Sequence, residues 1–127
     1  MACQKNEAVE KINALLEKVG LTENKYKKIG AYSRGMKQRL SLSPALIKNP
    51  ELLNLDEPTL GLDPQGQEDM RNLLKEINTK GVTILYSSHL LEEVSNICSR
   101  IAIIDQGSIL TEGTTVELMQ KTHSKNL

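Results

Sequence analysis

Residues 52–64 read Leu52-Leu53-Asn54-Leu55-Asp56-Glu57-Pro58-Thr59-Leu60-Gly61-Leu62-Asp63-Pro64. A short apolar run closes on two carboxylates. Its length and apolarity predict a strand of a parallel sheet over Leu52 to Leu55. Asp63-Pro64 is a helix entry, an N-cap residue followed by proline at the first helical position. Met70, Leu73, Leu74 and Ile77 supply that helix's apolar face, and Lys80-Gly81 closes it. Val82 to Tyr86, apolar and β-branched, predicts a second strand. Asn54 is discordant, because an amide buried in a strand without partners costs about 1–3 kcal/mol.

On the C-terminal side, Ser87-Ser88-His89 leads into a short helix with Leu91, Val94, Ile97 and Cys98 inward. Arg100 to Asp105 and Ser108 to Glu112 flank Gln106-Gly107 and predict a hairpin. Thr114 and Glu117 have capping-box spacing at the start of a last helix to about Lys121. On the N-terminal side, Val9, Ile12, Leu16 and Val19 predict a helix over Glu7 to Val19, stopped by Gly20. Thr22 to Gly30 is a polar, Lys-rich surface connection. A further helix spans about Arg34 to Lys48, with Pro44 inside it. That proline costs about 3 kcal/mol unless the helix kinks or begins anew there. Strands alternating with helices make the class α/β with a parallel sheet.

The composition narrows the function. Of 127 residues, 39% are hydrophobic and 25% charged, and 16 basic residues balance 16 acidic ones. That excludes a strongly basic nucleic-acid footprint. With three Tyr, no Trp and no Phe, a base-stacking platform is not expected. No apolar run approaches the roughly 18 residues of a membrane span. The polar start Ala-Cys-Gln-Lys-Asn-Glu is unlike a secretory signal. Cys3 and Cys98 form no metal or redox spacing, Cys98 reads as a small core residue, and a reducing cytosolic compartment is expected.

The residues with chemical potential stand at element boundaries, where an open α/β sheet places ligand groups. Tyr32-Ser33-Arg34-Gly35-Met36 precedes a helix whose N-terminal N–H groups suit phosphate. Ser33 adds a hydroxyl and Gly35 permits close backbone approach. The plainer reading is a serine-capped helix start. Asp56-Glu57 can supply one carboxylate to Mg²⁺ and one to a water, or it is a solvated acidic turn. Asp63 is an N-cap whatever else it does. His89 stands at a strand's carboxyl end, like Asp56-Glu57, although a lone histidine is more often structural.

Together, Tyr-Ser-Arg-Gly-Met-Lys-Gln-Arg-Leu, Leu-Asp-Glu-Pro-Thr-Leu-Gly-Leu-Asp-Pro and Ser-Ser-His resemble the ATP-binding-cassette (ABC) ATPases. The likeness runs from about Glu7 to Met119 and looks most like the bacterial drug-, bacitracin- and sodium-export subgroup. It implies that Tyr32–Met36 is the signature, Leu52–Asp56 the Walker B strand and Glu57 the catalytic glutamate. Leu60–Asp63 matches the D-loop and His89 the switch histidine. By the same resemblance, Asp56 helps hold Mg²⁺, Glu57 polarises water and His89 meets the γ-phosphate. Ser33, Arg34, Gly35 and Met36 lie against a partner's ATP, and Asp63 couples the two sites. The implied partners are a second ABC ATPase subunit, head to tail, and a membrane permease. The implied place is cytoplasmic, peripheral on the inner face of the cell membrane, with no nucleic acid.

A phosphate-binding loop reads G-x-x-x-x-G-K-[ST], and this chain has no Gly-Lys dipeptide. Gly30 to Lys37 imitates it with the lysine one place late and no strand before it. The Q-loop glutamine and the adenine-stacking aromatic are also missing. The chain therefore looks like the C-terminal part of a P-loop NTPase domain of the ABC type, with its Walker A lobe missing. Residues 1–48 are expected in the helical subdomain and 49–127 in the core. Two functions follow. One is a truncated or split ATPase subunit energising export. The other is a non-catalytic fragment pairing with intact subunits as a half-site or regulatory module. A chromosome-maintenance or repair ATPase lobe fits less well, given neutral charge and no coiled-coil heptads.

Overall fold

The computed structural model describes residues 2–124, without the side chains of Ala2, Cys3 and Thr122. The elements are α1 (Ala2–Lys18), 3-10 turns at Thr22–Asn24 and Ile29–Ala31, α2 (Arg34–Ser41), α3 (Ser43–Leu46) and β1 (Leu52–Asp56). Then come α4 (Pro64–Thr79), β2 (Thr83–Ser87), α5 (Leu91–Ile97), β3 (Arg100–Asp105), β4 (Ser108–Thr114) and α6 (Thr115–Ser124). They form two compact units that divide between Leu85 and Tyr86.

In the first unit, β1 pairs with β2 in a small parallel sheet. The Thr83 N–H donates to the Glu51 carbonyl at 2.8 Å, where the two strands come together. All four expected α4 residues, Met70, Leu73, Leu74 and Ile77, are buried. They share the core with Val19, Leu21, Leu42, Leu46, Leu53 and Leu55. Helix α1 ends where Gly20 turns to φ +69°, a conformation glycine adopts without a Cβ clash.

Two expected strains are absent. The helix expected over Arg34 to Lys48 is two helices, and Pro44 stands in the first turn of α3. There its missing N–H has no helical acceptor to lose. Asn54 is exposed, not buried. Strand β1 alternates, with Leu53 and Leu55 inward and Leu52, Asn54 and Asp56 outward. On that outer side Leu52 is 57% exposed, and in β2 Leu85 is 58% exposed. The period-2 geometry of a strand places Asn54 there, so its amide is not desolvated.

In the second unit, β3 and β4 form the expected antiparallel hairpin, with a bulge at Ile103/Ile104. Its turn has φ +47° at Gln106 and +79° at Gly107, the two-residue geometry that suits strand twist. The capping box is complete. The Glu117 N–H donates to Thr114 Oγ1 at 3.2 Å, and the Thr114 N–H donates to Glu117 Oε2 at 2.9 Å. Hydrogen bonding to the carboxyl from the Thr114 backbone first, and from its side chain second, holds Glu117 below the ordinary glutamate range. Helix α5 differs from expectation. Leu91 is 59% exposed and Glu93 is buried, while Val94, Ile97 and Cys98 are half-buried. Burial pushes the Cys98 thiol up, as suits a packed sulfur.

Candidate nucleotide half-site

Ser33 caps α2, its Oγ accepting the Met36 N–H at 3.1 Å. The plainer reading of Ser33 therefore holds locally. A hydroxyl that accepts in this way still carries its own proton as a donor, so the cap and anion binding are compatible. Helix α2 is basic, with Arg34, Lys37 and Arg39 and no acidic residue.

Helix α2 is fastened at both ends by arginines to glycine carbonyls. Arg39 Nη1 donates to the Gly20 oxygen at 3.1 Å. Arg34 Nη1 donates to the Gly61 oxygen at 3.0 Å. The second bond joins two stretches singled out in the sequence, Tyr32–Met36 and Leu60–Asp63. Gly61 has φ +76°, which turns its carbonyl out of the ordinary chain path. Sequence reading gave Arg34 a phosphate-side place, and the structure puts its guanidinium on this loop. The long Arg34 side chain and the glycine were the available signals, but their contact spans 27 residues of sequence.

Gly35 makes the close approach its type permits, to a helix. A Cβ there would stand 3.5 Å from the Gly66 Cα of α4. Helices α2 and α4 pack together, and Asp63 opens α4 as expected. Its Oδ1 accepts the Gly66 N–H at 2.9 Å, with Pro64 in the first turn. The first unit thus brings together Ser33, Arg34, Gly35, Gly61 and Asp63 through α2, α4 and the loop between β1 and α4.

Asp56 is exposed at the end of β1 and Glu57 follows, half-buried. Glu57 has φ +47°, a left-handed backbone that a non-glycine residue rarely takes. Both residues have interaction partners in the structure. Among the described residues no cluster of three or more His, Cys, Asp or Glu could hold a metal by itself. That donor set fits Mg²⁺, which keeps waters and is bound through one or two carboxylates plus substrate phosphates. His89, in the second unit, is exposed two residues beyond β2. Gly30, the start of the imitation phosphate loop, is spent in the 3-10 turn Ile29–Ala31. Its conformation offers no cradle between a strand and a helix.

Known proteins resemble this chain in sequence and in fold. The family model for ABC transporters matches residues 1–60. The linearmycin resistance ATP-binding protein LnrL of Bacillus subtilis is 44% identical over 115 residues, 91% of this chain and 37% of that protein. The Nod factor export ATP-binding protein I of Burkholderia thailandensis is 40% identical over 115 residues, 91% of this chain and 38% of that protein. Among solved structures, the ATP-binding cassette MJ1267 in its ADP conformation superposes with a TM-score of 0.82 at 31% identity. That likeness covers 93% of this chain and 46% of the cassette. The cbiO1 protein of Clostridium perfringens, part of the transporter complex cbiONQ, gives 0.82 at 27% identity, over 94% of this chain and 48% of its own.

The fold and the motifs are those of an ABC-type ATP-binding domain. The chain belongs to the ABC transporter family. It spans a little over a third of the length of the curated relatives it matches. Among the described residues, no helix is long and apolar enough to cross a membrane.

Proposed function

We propose that the chain is the C-terminal portion of an ABC exporter's ATPase subunit and acts as a nucleotide half-site. The observation that carries this is the Arg34–Gly61 bond, which fastens the signature helix to the D-loop within one compact unit. In this reading the Ser33 hydroxyl and the α2 N-terminus face the γ-phosphate of a nucleotide held by a partner subunit. Asp56 contributes a carboxylate toward Mg²⁺ on the chain's own nucleotide. Mg²⁺, when bound with ATP, neutralises phosphate charge. Glu57 orients the attacking water and accepts its proton, His89 meets the γ-phosphate, and Asp63 connects the two sites. The names of the relatives, resistance to linearmycin and export of Nod factor, support an export role beside a membrane permease, on the cytoplasmic face.

Phosphoryl transfer depends on positioning and charge neutralisation. The residues here supply carboxylates and a signature, and no stretch has the phosphate-loop sequence. Catalysis therefore requires that loop from elsewhere. The test is equilibrium binding of a fluorescent ATP analogue with Mg²⁺, for the chain and its Glu57→Gln variant. It is run with and without a separate lobe carrying a Walker A loop. The chain alone is expected to bind more weakly than millimolar. Adding the lobe is expected to bring micromolar binding, with turnover lost in Glu57→Gln. Micromolar binding of one nucleotide per chain without the lobe would sink this reading. A second reading is a regulatory fragment that pairs with intact subunits. It predicts that the chain lowers turnover when mixed with a complete subunit and gains none with the lobe.

A further inference from the structure

The helix after His89 carries a buried carboxyl that the reading above does not use. Glu93 is 7% exposed, and a glutamate is almost never that buried without partners. Its Oε2 accepts a hydrogen bond from Ser88 Oγ at 3.0 Å. The same Oγ accepts the Leu90 N–H at 3.1 Å. The residues on either side of His89 are thus joined through one hydroxyl to one buried carboxyl, while the His89 side chain itself is exposed.

A serine hydroxyl has one proton and two lone pairs. Donation to Glu93 spends the proton and aims a lone pair at the Leu90 N–H. Leu90 is the N-cap residue of α5, which has no side-chain cap of its own. The Ser88–Glu93 pair therefore fixes the backbone where the loop becomes helix. Glu93 lies in the first turn of α5, where an acidic side chain suits the positive helix end.

We infer that Glu93 is a positioning residue for His89, acting through Ser88 to hold the loop so that the exposed imidazole is presented in one orientation. The inference rests on the reading of His89 as the group that meets the γ-phosphate. Glu93 touches no reacting atom in that reading. Its removal frees the Ser88 hydroxyl to rotate, the Leu90 amide loses a fixed acceptor, and the ring between them samples more conformations. Misplacement by about 1 Å is enough to slow a positioned reaction.

The test is solution NMR on the full chain, as wild type, Glu93→Gln, Glu93→Ala and Ser88→Ala. Exchange of the Leu90 amide and the Hα–Hβ couplings of His89 are read. Both alanine variants are expected to speed Leu90 exchange roughly fivefold to tenfold and to move the His89 couplings to rotamer-averaged values. Glu93→Gln keeps an acceptor oxygen and restores both. Wild-type exchange and couplings in a folded Glu93→Ala chain would overturn the inference, as would a glutamine variant as loose as alanine. If Glu93→Ala fails to fold, Ser88→Ala decides by the same two readouts. With the Walker A lobe added, Glu93→Ala is expected to lower kcat about tenfold at unchanged KM; a raised KM at unchanged kcat contradicts it. Absence of wild-type turnover counts against the proposed function alone, and the NMR result still decides the role of Glu93.

Discussion

The two units bury apolar surface very differently. In the first, α1 to α4 and β1 close around Val19, Leu21, Met70 and Leu74, each fully or almost fully buried. In the second, Tyr86 and Ile101 are the buried apolar residues among those described. Ile104, Ile109, Leu110 and Val116 are all more than half exposed, and an apolar groove opens between α5, the hairpin and α6. Ser33, Arg34, Gly35, Gly61 and Asp63 therefore stand on a core of their own. His89 stands on a unit with few buried apolar residues among those described. The residues of the first unit have the firmer foundation.

The largest effect should come from the core. Leu74→Ala, at a residue 1% exposed, is expected to cost about 3 kcal/mol. Ile104→Ala in the hairpin, at a residue 66% exposed, is expected to cost about 0.5 kcal/mol or less. Urea midpoints measure both, and equal shifts would erase the contrast. A sharper form compares caps. Asp63→Ala removes the acceptor of the Gly66 N–H and should lower global stability by about 1 kcal/mol. Thr114→Ala removes half of the capping box and should loosen α6 locally, seen as faster amide exchange in residues 115–118 with little change in the urea midpoint.

The smallest effect is in pH. Glu117 has a folded-state pKa below the ordinary glutamate value. Its contribution is therefore complete above that ordinary value and is lost as pH falls through the lower folded one. On acid titration, the Thr114 amide resonance should move only below the ordinary carboxylate range. Glu117→Gln should abolish that step. A step at the ordinary position would mean that the capping box is not formed in solution.

Much of this contrast was legible locally. Asp63-Pro64, Gly20, Gln106-Gly107 and the Thr114/Glu117 pair each satisfy a backbone requirement within a few residues, and each sits where its chemistry demands. Met70, Leu73, Leu74 and Ile77 were legible because a long helix has one stable apolar stripe. Burial set by other elements was not. Asn54 reads as buried if both strand faces are covered, and its face is open here. Leu91 and Glu93 exchange the expected inside and outside because α5 has only seven residues, too few for periodicity to decide. At the site, the Ser33 cap was readable from residue type. The Arg34–Gly61 bond was not, since nothing local announces where a long side chain ends.

Glu57 has a consequence of another kind. Three non-glycine residues, Asn49, Glu57 and Gln106, take positive φ among those described. Asparagine tolerates that conformation well, whereas glutamate in it costs about 1–2 kcal/mol relative to a relaxed backbone. A library of this chain sorted for thermal resistance alone would thus drift at position 57 toward glycine or asparagine. A library sorted for nucleotide turnover with the Walker A lobe would keep the acid. The residue that wins at position 57 would record which of the two demands the chain had been asked to meet.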